Sequence, residues 1–85
     1  MLPEQGPLAE ALRSLPQRPG VYRFIDRGGA TIYVGKAKNL RRRVHSYWSS
    51  RPGDHRMTAH VPEIASLAFE ECSSEAAALE REGEL

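Results

Sequence analysis

Cysteine is almost absent from this chain: Cys72 is the only one in 85 residues. No intrachain disulfide and no cysteine-ligated metal cluster can form. Cys72 itself is expected to be a small buried hydrophobe. No apolar run approaches the ~18 residues that a membrane-spanning helix needs, and no signal-peptide core follows Met1. A cytoplasmic protein is the expectation. The three histidines, His45, His55 and His60, are scattered without ligand spacing and are expected on the surface. The basic half of the chain holds no close pair of acids, so a metal centre built from several side chains is not expected there. A chain this short has room for one domain, which buries only about 60% of its unfolded surface.

What is present is unevenly distributed. The net charge is +1. From Lys36 to Arg56 there are seven cations against one acid, Asp54; from Glu63 to Leu85 there are seven acids against one cation, Arg81. A basic middle is the footprint of a polyanion partner. The acidic tail reads first as a solvated face, and it is also the one region with enough carboxylate for a divalent cation.

Punctuation residues divide the chain. Pro7 to Leu15 has leucines at positions 8, 12 and 15, a helical spacing that Pro16-Gln17-Arg18-Pro19 stops. Gly20 to Asp26 and Ala30 to Gly35 read as two strands joined by an Arg27-Gly28-Gly29 hairpin turn. With an even-length loop, Val21, Ile25, Ile32 and Val34 share one face, and Tyr22, Phe24, Tyr33 and Gly35 share the other. The aliphatic face is the expected core face. Asn39 is a good N-cap for a helix over Leu40 to about Ser49, with Leu40, Val44 and Trp48 as its buried stripe and Arg43 and Tyr47 on an adjacent one. A short helix is expected over His55 to His60, and a third strand over Leu67 to Cys72. Ser73 or Ser74 caps a last helix, with Glu75 in its first turn. No stop signal follows, so that helix is expected to continue beyond Leu85.

The chemistry-bearing residues are concentrated. Tyr22 and Tyr33 lie eleven positions apart, flanked by Gly20 and Gly35 and followed by Lys36, Lys38, Arg41, Arg42 and Arg43. Phosphodiester hydrolysis needs activated water, neutralisation of the developing charge and help for the leaving oxygen. Tyrosine is a poor base at its ordinary pKa of about 10. Nearby cations, Lys36 first, are expected to lower it. Lys36 suits phosphate as a point charge and Arg43 as a planar fork. Arg41 and Arg42 fit backbone tracking better than catalysis. The bare backbone at Gly20 and Gly35 is expected to leave room for a ligand or another chain. The plain alternative is that both tyrosines are ordinary strand aromatics.

Pro19-Gly20-Val21-Tyr22, Tyr33-Val34-Gly35-Lys36-Ala37-Lys38-Asn39-Leu40, Arg43 and Ser46-Tyr47 together resemble the GIY-YIG nuclease family. Within it they are most similar to the UvrC-like branch, the N-terminal nuclease domain of a bacterial excinuclease subunit. The resemblance covers about Leu15 to Leu85. It implies a small α/β (α+β) fold, a three-stranded antiparallel sheet flanked by helices, over residues 15–85, with 1–14 as an N-terminal extension. It implies an endonuclease that cuts DNA on the 3′ side of a lesion in nucleotide excision repair, with UvrA- and UvrB-type proteins recognising the damage. The catalytic roles fall on Tyr22 or Tyr33, Lys36, Arg43 and Tyr47. Lys38, Asn39, Arg41 and Arg42 would contact nucleic acid, and Gly20 and Gly35 would be structural. A single Mg²⁺ or Mn²⁺ would be held by a glutamate of the last helix. The Glu-rich stretch from Glu75 places that role on Glu82, with Glu80 as the nearest rival. The family also carries an asparagine past that helix, a position beyond Leu85. Two other readings remain: a stand-alone or exonuclease-appended nuclease of the same family, and a DNA-binding module without catalysis. A protein-interaction domain using the acidic helix is the third. The sequence does not give the oligomeric state.

Overall fold

The computed structural model describes residues 2–49 and 58–85. Helix α1 (Gly6–Ser14) is followed by strands β1 (Gly20–Ile25) and β2 (Thr31–Ala37), helix α2 (Leu40–Ser49), a 3₁₀ turn (Thr58–Glu63), strand β3 (Ser66–Glu71) and helix α3 (Glu75–Glu84). The three strands form an antiparallel sheet in the order β2-β1-β3. The expected short helix over His55 to His60 is represented by this 3₁₀ turn; its first three positions lie outside the described residues. Pro62 sits inside the turn.

The hairpin is closed by Asp26, whose Oδ1 accepts from the backbone N–H of Gly28 (2.9 Å) and of Ala30 (3.0 Å), with Gly29 at φ +86°. Its loop, 27–29, is odd in length, because the Asp26 N–H bonds the Ala30 carbonyl. The even-loop assumption therefore fails, but a β-bulge compensates. The register shifts between Phe24 and Ile25, leaving Ile32 as the extra residue. Beyond it Phe24 faces Tyr33 and Tyr22 faces Gly35. The aromatic set thus shares one face as expected.

That aromatic face, and not the aliphatic one, carries the main core. Tyr22 and Phe24 pack with Leu12 and Leu15 beside α1, with Leu40, Val44 and Tyr47 of α2, and with Ile64 and Leu67. The aromatic rings interlock, Phe24 meeting Tyr47 edge-on at 4.9 Å between centroids. Residues 1–14 were expected as an extension, yet α1 supplies Leu12 to this core and packs on β3. The opposite face is covered by α3, which packs on β1 and β2 and buries Ala78. In α2, Tyr47 rather than Trp48 is the fully buried aromatic; Trp48 is half-buried. Cys72 is half-buried as well.

Gly20 and Gly35 are both explained by packing. A Cβ on Gly35 would collide with the ring and hydroxyl of Tyr22, its direct cross-strand partner. A Cβ on Gly20 would collide with the Glu70 carbonyl oxygen and the Leu40 side chain. The space expected for a ligand is taken by the protein itself. Gly35→Ala is therefore expected to destabilise the fold by about 1–3 kcal/mol through overpacking. In a domain of this size that lowers the melting temperature by roughly 5–20 °C. Gly83→Ala, in α3 with nothing within 4 Å of the added carbon, should instead be neutral or stabilising. Thermal unfolding followed by circular dichroism checks both.

Candidate active site

Three tyrosines and one arginine meet where β1, β2 and α2 converge. The Tyr22 and Tyr47 hydroxyls are 2.8 Å apart, and both residues are buried, at 1% and 2% exposure. Asn39 sets the phase of α2: its Oδ1 accepts from the Arg42 N–H at 3.0 Å. Arg43, one turn before Tyr47, lays its guanidinium over the Tyr47 ring, 5.5 Å from the centroid. Arg43 is itself exposed, and its positive charge opposes the rise in the Tyr22 pKa. Tyr33 packs near both, with ring centroids 6.3 Å from Tyr22 and 6.4 Å from Tyr47. It is half-buried, and its hydroxyl makes no hydrogen bond among the described residues.

The electrostatics differ from the sequence expectation. Burial pushes the Tyr22 pKa above its ordinary value of 10.0, outweighing the opposing pull of Tyr47 and Arg43. Burial likewise raises Tyr47, and the Tyr22 hydrogen bond adds to the rise. Neither is poised as a phenolate at neutral pH. The leading cation acting on them is Arg43 and not Lys36. The reason is strand alternation: Gly35 carries the tyrosine face, so Lys36, opposite Val21, points to the α3 face.

Lys36 and Arg43 nonetheless border a common open groove of about 620 Å³, lined also by Ala37, Lys38, Asn39, Arg42, Ser46 and Glu75. Four cations against one carboxylate make it strongly basic. Arg41 is exposed and outside the groove lining. The first N–H groups of α2 are not free for phosphate: Leu40 donates to the Arg18 carbonyl and Arg41 to the Pro16 carbonyl. Arg42 and Arg43 donate to Asn39. Asn39 is thus a helix cap first. Glu75, read from sequence only as a first-turn acid, comes within 3.9 Å of Lys38 and closes one side of the groove. Its role was not legible because β2 and α3 are distant in sequence.

Among the described residues no group of three or more His, Cys, Asp or Glu side chains gathers as a metal cage. His45 is half-buried with Nε2 2.8 Å from the Leu12 carbonyl, a structural contact rather than the expected free surface position. His60 is exposed and pairs with Glu63. The acids after the 3₁₀ turn are mostly engaged: Glu70 and Glu84 with Arg81, Glu71 with Arg18, Glu75 with Lys38. Glu80 and Glu82, both on α3, make no side-chain ion pair or hydrogen bond among the described residues.

A family profile described as the UvrC-like GIY-YIG domain matches residues 18–85. The chain belongs to the UvrC-like GIY-YIG domain family. It is 51% identical over 79 residues to UvrABC system protein C of Chlorobaculum tepidum, covering 92% of this chain and 13% of the relative. To the same protein of Christiangramia forsetii it is 40% identical over 82 residues, covering 96% of this chain and 14% of the relative. The chain therefore spans about one seventh of these relatives. Two crystal structures of the N-terminal GIY-YIG endonuclease domain of UvrC from Thermotoga maritima share the fold at 27% identity. One, a point mutant bound to its catalytic divalent cation, matches with a TM-score of 0.77 over 95% of this chain and 87% of its own. The other, bound to magnesium, matches at 0.76 over 95% and 88%. The three-stranded sheet with flanking helices is the GIY-YIG architecture, and the nuclease-domain expectation stands with it.

In this GIY-YIG domain the raised tyrosine pKa values set a pH dependence. A folded-state value above the unfolded one contributes stability that is complete below the unfolded pKa and is lost as pH rises toward the folded one. Stability should therefore fall as pH climbs above about 10. Tyr47→Phe, which removes one of the two raised groups, should make that fall shallower. Denaturant unfolding between pH 8 and 11 measures it, and an equal slope in both proteins would contradict the assignment.

Proposed function

We propose that this domain hydrolyses a DNA phosphodiester bond, with one divalent cation and the Arg43–Tyr22–Tyr47 assembly as its fixed part. The observation that carries the proposal is the place of Arg43. Its guanidinium lies over the Tyr47 ring, at the edge of a basic groove and beside the buried Tyr22–Tyr47 hydroxyl pair. A donor so placed stabilises charge that develops on a phosphoryl oxygen. Lys36 and Lys38 would attract and seat the phosphate backbone, with Arg42 and Arg41 along its path. Asn39 would serve mainly by capping α2.

Among the tyrosines, Tyr33 is the one proposed to meet the attacking water. It is half-exposed, and its hydroxyl is uncommitted among the described residues. Tyr22 and Tyr47 would act as the internal frame for Arg43, since both are buried and held protonated.

The donor set suits a hard cation that keeps most of its water. One carboxylate, water and substrate phosphate fit Mg²⁺, with Mn²⁺ as a substitute. Glu82 is proposed as that carboxylate and Glu80 as its rival, the two α3 acids without a side-chain partner among the described residues. When bound, the cation would neutralise charge on the leaving oxygen. The relatives named UvrABC system protein C support a role in incision of damaged DNA, with UvrA- and UvrB-type proteins as partners.

Cleavage of a labelled, lesion-bearing duplex tests this, with and without UvrA- and UvrB-type proteins and with Mg²⁺, Mn²⁺ or EDTA. Cutting is expected with metal and not with EDTA. Arg43→Ala should lower the rate by about 10²–10³, and Tyr33→Phe by about 10²–10⁴. Glu82→Gln and Glu80→Gln, made separately, identify the ligand: one should abolish cutting and the other leave it. DNA binding that survives while no condition gives cutting would instead favour the non-catalytic module.

A further inference from the structure

Helix α3 holds the sheet with very little apolar contact. Ala78 is its only fully buried residue, while Leu79 and Leu85 are exposed at 56% and 49%. A single fully buried alanine sets the rotation of the helix only loosely, and two exposed ion pairs add a bias to it. At the start of α3, Glu75 approaches Lys38, just past the end of β2, at 3.9 Å. Toward its end, Arg81 Nε donates to Glu70 Oε2 on β3 at 2.8 Å. The helix is thus tied at both edges of the sheet. Arg81 also reaches Glu84 at 3.7 Å, which steadies the side chain from within its own helix. The Arg81 side chain is 38% exposed, the less exposed partner in each of its pairs.

Arg81 lies between Glu80 and Glu82. We propose that Arg81, through Glu70, is a positioning residue: it fixes the phase of α3 so that the unpartnered carboxylate next to it faces a cation. This rests on the reading that Glu82 or Glu80 holds the metal. Arg81 touches neither substrate nor cation in this role. An exposed pair contributes modestly, so the effect is a bias of a few-fold and not an on–off switch.

The sign of the effect separates positioning from simple charge. Arg81 is a cation beside a proposed cation site. Removing it should tighten divalent-metal binding if charge alone matters. If Arg81 positions the helix, removal should weaken binding instead. The test is Mn²⁺ affinity of the whole chain, measured by electron paramagnetic resonance of free Mn²⁺, without any DNA or activity readout. Arg81→Met keeps the stem and the helix propensity and is expected to weaken Mn²⁺ binding about threefold. Arg81→Glu combined with Glu70→Arg reverses the pair at constant net charge and should bring affinity back toward that of the unsubstituted chain, whereas Arg81→Glu alone should not. Unchanged or tighter binding in Arg81→Met, with the unsubstituted chain binding normally, overturns the positioning role and leaves the metal reading intact. Failure of the unsubstituted chain to bind Mn²⁺ overturns the metal reading and this inference with it. Normal metal binding that both Glu80→Gln and Glu82→Gln leave unchanged overturns it too.

Discussion

The Tyr22 ring lying across Gly35 is the contact on which the rest of the molecule depends. A tyrosine buried in a small core must find a hydrogen-bond partner for its hydroxyl, because an unpaired buried hydroxyl costs about 1–3 kcal/mol. The partner is the hydroxyl of Tyr47, on α2. Two requirements follow. The neighbouring strand must have no side chain where the ring lies, and glycine 35 meets that requirement directly opposite Tyr22. The helix must also present Tyr47 at one rotation only. Once that rotation is set, Arg43 is one turn away, on the side from which its guanidinium lies over the Tyr47 ring. One hydroxyl pair thus sets the aromatic core and the helix face that carries the candidate catalytic cation.

The parts of this arrangement that sequence makes legible are the local ones. Asn39 and Ser74 cap their helices with the side-chain bonds that their residue types suggest, to Arg42 and Ala77. The hairpin turn is where the glycines place it. The grouping of Tyr22, Phe24, Tyr33 and Gly35 on one face was reached through a wrong premise. The loop is odd, and the bulge at Ile32 restores the parity. A bulge leaves no clear mark in an apolar run such as Ile32-Tyr33-Val34, because an even loop without a bulge and an odd loop with one put the same residues on the same face.

What sequence could not rank was competition between faces and between physical effects. Both faces of the sheet are covered, and aliphatic content alone pointed to the wrong one as the main core. The deciding factor is which helix is apolar enough to cover which side; at equal length, α2 buries Leu40, Val44 and Tyr47, whereas α3 buries only Ala78. The direction of the tyrosine pKa shifts has the same origin. Charge proximity along the chain suggested lowering, but burial depends on the fold and outweighs it. Lys36 was close in sequence and is on the other face of the strand. Glu75 was distant in sequence and borders the groove.

The division of labour among three tyrosines follows from these energies. A hydroxyl that is buried and hydrogen-bonded is well suited to shape the surface on which an arginine lies and poorly suited to exchange protons with water. Tyr22 and Tyr47 have the first character. Tyr33, at the edge of the cluster with its hydroxyl uncommitted among the described residues, has the second. The same reasoning bears on phosphate recognition. With the first amides of α2 already spent on Pro16, Arg18 and Asn39, the helix terminus offers no ready anion site. Affinity for a polyanion must then come from flexible Lys and Arg side chains, whose contribution is counterion release and weakens steeply with salt. Orientation is best sought from Arg43, whose guanidinium lies over the Tyr47 ring, a ring whose place depends on the hydroxyl pair that Gly35 makes room for.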